Sequence, residues 1–291
     1  MNILVALNAN YVYPLKVMLE SLFENNSGES FSIYMMYSKM PAEDLADLDS
    51  FILNKGHKFV PLYVEPSIFK EATVVKHFTA EMYYRLIAYH YLPDDLDRIL
   101  YLDPDIIVLN PVSGFYHKSF NGAWFMASEH QFTTKIVSPF NKMRLKTPKA
   151  KGYFNTGVLL MNVRALRKDD SIRKIFAFIK EHRHQLLLPD QDVFNALYWD
   201  KIIPVSGAFY NYDARFYGLQ KLSLTSSKLG DMDWIKKHTV FVHYCGKQKP
   251  WQEAYKGDLG IFFRQYAEHV PLSEKKRESI HSLPDRSANR S

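Results

Sequence analysis

Two carboxylates bracket a proline at Asp103-Pro104-Asp105. Residues two apart on an extended chain point to the same side, so both carboxylates can grip one hard divalent ion. Pro104 fixes its own φ and holds the bend open. The neighbours Leu100, Tyr101, Leu102, Ile106 and Ile107 are apolar, and burying two carboxylates among them is costly unless a cation neutralises them. Asp-Pro-Asp is also good surface-turn chemistry, so the motif alone leaves both readings open. A second cluster, His243-Tyr244-Cys245-Gly246-Lys247-Gln248-Lys249-Pro250-Trp251, follows the apolar run Val240-Phe241-Val242. It offers an imidazole, a glycine turn and two lysines, which suit a third metal ligand and a grip on phosphate. A lone histidine after a strand can equally be structural. Taken together, the two clusters favour the ligand reading.

These groups need a scaffold, and the hydrophobic pattern supplies one. Ile3 to Leu7 is a short apolar run suited to a strand buried on both faces. Pro14 then stands near a helix start, with Leu15, Met18, Leu19, Leu22 and Phe23 following at helical spacing. Phe31 to Tyr37 reads as a second strand, Pro41 opens a second helix, and Phe59 to Val64 reads as a third strand. Strand, helix, strand, helix, strand at these lengths predicts crossover units, hence an α/β fold with a parallel sheet covered by helices. Thr79 to Tyr91 reads as a further helix, and Arg98 to Leu109 as two strands interrupted at the acidic pair. Ser171 to His184 and Asp190 to Trp199 read as helices, and Gln131 to Lys151 as a polar, basic connection.

Composition narrows the function. The 291 residues are 47% hydrophobic and 23% charged, which excludes collagen-like, coiled-coil and disordered chains. One cysteine, Cys245, excludes an internal disulfide and a thiolate zinc cluster. There is no Walker A loop and no Gly-x-Gly-x-x-Gly turn, which argues against a P-loop or dinucleotide site. The net charge of +6 would suit nucleic acid, an anionic membrane or a phosphorylated small molecule. The basic residues are scattered rather than striped among aromatics, which argues against nucleic acid. No stretch is long and apolar enough to cross a bilayer, and the first residues carry no basic leader. The expectation is therefore a soluble, cytoplasmic protein.

Six segments recur in a set order. They are Ile3–Leu7 with Asn8-Ala9-Asn10-Tyr11, then Tyr83-Tyr84-Arg85-Leu86, then Tyr101-Leu102-Asp103-Pro104-Asp105. Tyr153-Phe154-Asn155-Thr156-Gly157-Val158, Asp190-Gln191-Asp192 and His243…Gly246…Lys249-Pro250-Trp251 follow. In this order they resemble glycosyltransferase family 8, the retaining enzymes of GT-A fold that include bacterial lipooligosaccharide α-galactosyltransferases and glycogenin. The resemblance covers about residues 1–270 as one catalytic domain with a Rossmann-like, mostly parallel sheet, leaving 271–291 as a polar tail.

The resemblance implies Asp103, Asp105 and His243 as ligands of manganese, with magnesium the lesser choice. That ion would neutralise the donor diphosphate and stabilise it as a leaving group. It implies Ala6, Asn8, Asn10 and Tyr11 around uridine, with Tyr11 stacking on uracil. Arg85, Pro104, Gly246 and Lys249 fall at the donor, the last two at its diphosphate. Asn155, Asp190 and Gln191 fall around the transferred sugar, Gln191 nearest the reacting face with Asp190 and Asp192 flanking it. His77 falls near the cleft between donor and acceptor. The family commonly has Asp where this chain has Asn8; an Asn carbonyl still accepts from uracil N3–H, with one fewer charge-assisted bond.

The activity so implied is transfer of galactose or glucose from a UDP-sugar to a hydroxyl of a glycan or glycolipid, giving an α-linkage. Acceptor choice would lie in the connections Gln131–Lys151 and Tyr210–Asp233. Two rivals are a sugar nucleotidyltransferase and a catalytically silent nucleotide-sugar or glycan binder. Against the first, Leu7-Asn8-Ala9-Asn10-Tyr11 is not a Gly-rich, Arg-containing loop. The tail carries Lys275, Lys276, Arg277, Arg286 and Arg290, offset by Glu274, Glu278 and Asp285. It could add weak association with the inner membrane face, each exposed cation contributing about 1 kcal/mol near anionic lipid.

Overall fold

The short apolar runs become strands, ten of them among the described residues of the computed structural model. Those residues are 1–69, 81–129, 134–169, 171–182, 184–221 and 228–271. The strands are β1 (Asn2–Ala6), β2 (Ser32–Tyr37), β3 (Lys58–Tyr63), β4 (Arg98–Leu102), β5 (Ile106–Val108), β6 (Phe125–Ser128), β7 (Val158–Asn162), β8 (Ile202–Val205), β9 (Tyr212–Asp213) and β10 (Phe241–His243). Seven of them form one sheet in the order β3-β2-β1-β4-β7-β6-β8, and β5-β10-β9 form a second, smaller sheet. In the large sheet only β7 runs against the others, pairing antiparallel with both β4 and β6.

Strand periodicity explains why that sheet is covered on both faces. Ile3 and Val5 of β1 join Leu100 and Leu102 of β4 and Val158 and Leu160 of β7 in one apolar layer. Leu4, Ala6, Ile99, Tyr101, Leu159 and Met161 point into the other. Helices α1 (Val12–Glu24) and α2 (Ala42–Asn54) close the first layer with Leu15, Met18, Leu22, Leu48 and Ile52. Helix α3 (Glu81–Ile87) and the helix Pro189–Leu197 close the second with Tyr83, Leu86, Val193 and Phe194. The result is the α/β architecture expected, with helices on both sides of a mostly parallel sheet.

Two expectations need adjustment. Of the expected helix Thr79 to Tyr91, the described part is α3 followed by a 3-10 turn at Ala88–His90, and residues 79 and 80 lie outside the described residues. Gln131 to Lys151 is not simply a connection, because Thr134–Arg144 is helical with Pro139 inside it. Its last residue, Arg144, is held by Asp192 from the helix Pro189–Leu197, a tertiary anchor that sequence spacing does not reveal. Among the described residues no helix is long and apolar enough to cross a membrane.

Candidate active site

β1 and β4 lie side by side and parallel, but the chain leaves them toward opposite edges of the sheet. Such a reversal opens a crevice at the carboxyl ends of the strands. Here β1 ends in Ala6-Leu7-Asn8 and β4 runs into Asp103. A cavity of about 190 Å³ opens at that point, lined by Ala6, Asn8, Tyr11, Arg85 and Asp103-Pro104-Asp105 among others.

The small sheet delivers the third ligand candidate. β10 pairs antiparallel with β5 so that His243 lies opposite Ile106, and Tyr244 N–H donates to the Asp105 carbonyl at 3.0 Å. One ligand atom each from Asp103, Asp105 and His243 then falls within 4.8 Å of the others. His243 Nε2 is 3.2 Å from Asp105 Oδ1 and 3.7 Å from Asp103 Oδ2. The approach requires a glycine at 157: a Cβ there would lie 2.2 Å from His243 Cε1 and 2.7 Å from Asp103 Oδ2. Two carboxylates and one imidazole converging where the backbone has been cleared of a side chain fit a divalent first-row cation such as manganese.

Cations of the chain itself already compensate these charges. Lys249 pairs with Asp105 Oδ2 and also donates to the Tyr244 carbonyl at 2.9 Å. Burial raises the cost of charge on Asp105, yet His243 and Lys249 outweigh it and hold the carboxyl well below the usual carboxylate range. Asp103 accepts at Oδ1 from Tyr101 Oη at 2.6 Å and faces Arg85 at 3.0 Å. Arg85 is buried over the Tyr101 ring, 4.5 Å from its centroid, and donates to the Thr156 carbonyl at 2.9 Å. It also reaches Asp190 at 3.6 Å, so one guanidinium bridges Asp103 and Asp190.

Beyond Arg85 lie Asn155, Asp190 and Gln191, all buried. Asn155 Nδ2 donates to Gln191 Oε1 at 3.1 Å, and Thr156 Oγ1 donates to Asp190 Oδ2 at 2.6 Å. Burial pushes the Asp190 carboxyl up, with Arg85 opposing. Asp192 differs from the role expected of it. It is fully buried and accepts from Tyr153 Oη at 2.8 Å, Arg144 Nη1 at 2.8 Å, and the backbone N–H groups of Leu187 and Leu188 at 2.7 and 3.2 Å. Donors from four residues at one carboxylate, Arg144 giving both Nη1 and Nη2, tie the start of the helix Pro189–Leu197 to Arg144, which is a structural task rather than a flank of the reacting face.

At the other end of the crevice Asn8 caps its own 3-10 turn, accepting from Asn10 N–H at 3.1 Å. Asn10 is exposed, whereas Tyr11 is half-buried edge-on against Trp251, 5.8 Å between centroids. Gly246 takes φ +89°, the left-handed region where glycine is unstrained, and turns the chain after β10. Beyond it lies a second cavity of about 430 Å³, lined by Arg215, Tyr217, Gly246, Lys247, Tyr255 and Lys256 among others. Arg215 and Tyr217 belong to the connection Tyr210–Asp233. Lys249, expected at a diphosphate, has its ammonium on Asp105. His77 and residues 272–291 lie outside the described residues.

Several side chains here were not singled out from sequence. Tyr101 carried a usable signal, two residues before Asp103 on the same strand. Thr156 lies inside a quoted segment. Asn211 carried none: it is far in sequence from both its partners, accepting from His243 Nδ1 at 2.9 Å and donating to Asn155 Oδ1 at 2.7 Å.

Comparison with known proteins agrees with this geometry. A family model described as Glycosyl transferase family 8 matches residues 2–254. General stress protein A of Bacillus subtilis is 26% identical over 257 residues, covering 86% of this chain and 87% of that protein. A lipopolysaccharide 1,2-glucosyltransferase of Escherichia coli is 25% identical over 268 residues, covering 87% and 73%. Among solved structures, the galactosyltransferase LgtC in complex with donor and acceptor sugar analogues superposes with a TM-score of 0.81 at 22% identity, over 96% of this chain and 99% of that one.

Proposed function

The chain belongs to glycosyl transferase family 8, and from that membership we propose that it moves galactose or glucose from a UDP-sugar to a hydroxyl of a glycan or glycolipid, with retention at the anomeric carbon. The observation that carries this reading is the convergence of Asp103, Asp105 and His243 beside a crevice at the carboxyl ends of β1 and β4. Uridine would occupy that crevice, with Tyr11 against uracil and the Ala6–Asn8 backbone alongside. Asn8 meets the base with one of its carbonyl lone pairs already engaged by Asn10.

Asp103, Asp105 and His243 would hold a divalent cation, manganese in preference to magnesium. When bound, such an ion neutralises the diphosphate and stabilises it as a leaving group. Lys249 would leave Asp105 for the diphosphate as the cation takes over the carboxylate. Arg85 keeps Asp103 and Asp190 in place by binding both. The acceptor would enter from the cavity beyond Gly246, whose lining includes the aromatic residues Tyr217 and Tyr255.

Retention follows from what the reacting face lacks. An inverting transferase needs a carboxylate base opposite the leaving group. Asp192 is consumed by donors from four residues, and Asp190 is bound by Thr156 and faces Arg85. Gln191 is a neutral amide, a poor base and a poor nucleophile. The bond from the anomeric carbon to the diphosphate oxygen therefore breaks as the acceptor oxygen approaches the same face. The acceptor proton passes to the departing diphosphate oxygen, and Gln191 stabilises the positive charge developing on the sugar. Incubation with labelled UDP-sugars and manganese, scored for sugar release and transfer, tests the activity. A proton NMR spectrum of the first product tests the stereochemistry: an α-anomeric doublet is expected, and a β doublet would overturn the reading.

A further inference from the structure

His243, Asn211, Asn155 and Gln191 are four buried side chains from four different parts of the chain, joined end to end. His243 Nδ1 meets Asn211 Oδ1 at 2.9 Å, Asn211 Nδ2 meets Asn155 Oδ1 at 2.7 Å, and Asn155 Nδ2 meets Gln191 Oε1 at 3.1 Å. Their direction is set by the backbone. Gly157 N–H, which can only donate, lies 2.8 Å from Asn155 Oδ1. The Asn155 oxygen must therefore face Gly157, and Asn211 must present its NH₂ group to that same oxygen. Asn211 is left with its oxygen toward His243, so Nδ1 carries the hydrogen. The lone pair of neutral His243 is then on Nε2, the nitrogen that faces Asp103 and Asp105. In the other direction Asn155 must donate to Gln191, which fixes that amide's oxygen on Asn155.

We propose that Asn211 is a positioning residue: it holds His243 in the Nδ1–H tautomer with Nε2 toward the two carboxylates, and through Asn155 it holds the orientation of Gln191. One backbone N–H thus orders both the cation ligand and the reacting-face amide. Outer partners of ligating histidines fix ring orientation and basicity in this way, and losing one typically costs about 10- to 100-fold in metal affinity. The amides suit the task because each donates and accepts at once, which an ionised carboxylate does not. The tautomer assignment stands on the hydrogen bonds alone; the turnover consequence rests on the proposed transferase reading.

Two substitutions separate the two ends. Asn211→Asp keeps an acceptor for His243 and loses the donor to Asn155. Asn211→Leu loses both. Manganese added alone and followed by the paramagnetic resonance of the free ion should bind Asn211→Asp within about threefold of wild type and Asn211→Leu at least about tenfold more weakly. Sugar release from the UDP-donor should fall about tenfold or more in kcat for both, with KM nearly unchanged in Asn211→Asp. Equal loss of manganese affinity in both variants would mean that Asn211 only fills space, and would overturn the relay. A direct reading comes from ¹⁵N spectra of histidine-labelled, metal-free protein, taken at a pH high enough that the His243 ring, which Asp105 favours in its charged form, is neutral. The Nδ1 of His243 should carry hydrogen in wild type and in Asn211→Asp and lose that fixed assignment in Asn211→Leu. A wild-type Nδ1 without hydrogen would refute the proposal whether or not the protein transfers sugar; the correct tautomer without any transfer would refute the functional reading and leave the relay standing.

Discussion

Among the described residues two places gather two carboxylates and an imidazole within 4.8 Å: Asp103, Asp105 and His243 at the carboxyl end of the sheet, and Glu20, Glu24 and His269 at the far end of α1. The residue types are the same chemistry, and their surroundings are opposite. Glu20 and Glu24 share a helix face by their spacing alone. Lys55 pairs with Glu20, and His269 Nδ1 lies 2.6 Å from Glu24 Oε1, with the two side chains 52% and 37% exposed. At the sheet end the His243, Asp105 and Asp103 side chains are only 4%, 10% and 19% exposed. There Asn211 orients the imidazole, a glycine clears its path, and a crevice adjoins. Water reaches Glu24 and His269, and Lys55 pairs with the buried Glu20, whereas only the second group adjoins the crevice at the ends of β1 and β4.

The largest effect should separate these clusters directly. Asp105→Asn is expected to lower both manganese affinity and turnover at least about 10²-fold, because the ion contributes several kcal/mol of charge stabilisation. The double variant Glu24→Gln, His269→Asn should leave both unchanged. Turnover that survives excess chelator, or manganese lost from the second variant, would erase the distinction. A smaller effect is expected from a single methyl group. Gly157→Ala drives a Cβ into His243 Cε1, and the ring, fixed by β10 and Asn211, has little room to yield. Manganese binding should weaken about tenfold. Gly28, just beyond α1, has nothing within 4 Å of its added Cβ, so Gly28→Ala is the matched control and should bind as wild type. Equal behaviour of the two alanine variants would show that the close approach at Gly157 is immaterial.

How much of this was legible beforehand depends on the range of the signal. The crossover units were readable because period-2 and period-3.6 patterns are local, and β1, β2, β3, α1 and α2 fall within a residue or two of expectation. Asp103 and Asp105 were readable because two acids inside apolar strands are costly without a counter-charge. Asn211 was not readable: a lone polar residue acquires meaning only when β9 and β10 lie side by side with Asp213 opposite His243. Asp192 misled for the converse reason. Its neighbour Gln191 meets Asn155, but successive helical residues point about 100° apart, and Asp192 turns to Arg144 and Tyr153. The helix that ends at Arg144 is tied to Asp192, 48 residues on, a contact that local periodicity does not carry.

The smallest expected effect lies beside the exposed cluster, where a histidine should report on folding and not on activity. His57 follows the turn that ends α2, its ring centroid 3.9 Å from that of Phe23 and 5.3 Å from that of Phe31. Its Nδ1 is buried with no hydrogen-bond partner. Burial, and after it the positive amino terminus, lower its pKa below the ordinary histidine value of 6.5. The sign is opposite to that of a paired histidine. As pH falls, the unfolded chain takes up the proton first, at about 6.5, while the folded chain resists until its own lower value. Stability should therefore be complete above about pH 6.5, decline as pH falls toward the folded value, and level off below it. His57→Gln, neutral throughout, should flatten that part of the curve, so the difference in Tm between the two proteins should change sign or shrink between neutral pH and pH 5. Manganese affinity at fixed pH should be the same in both. A stability difference that stays constant with pH would mean that His57 charges as readily in the folded chain as in water, and that the aromatic contacts around it exclude less solvent than their distances imply.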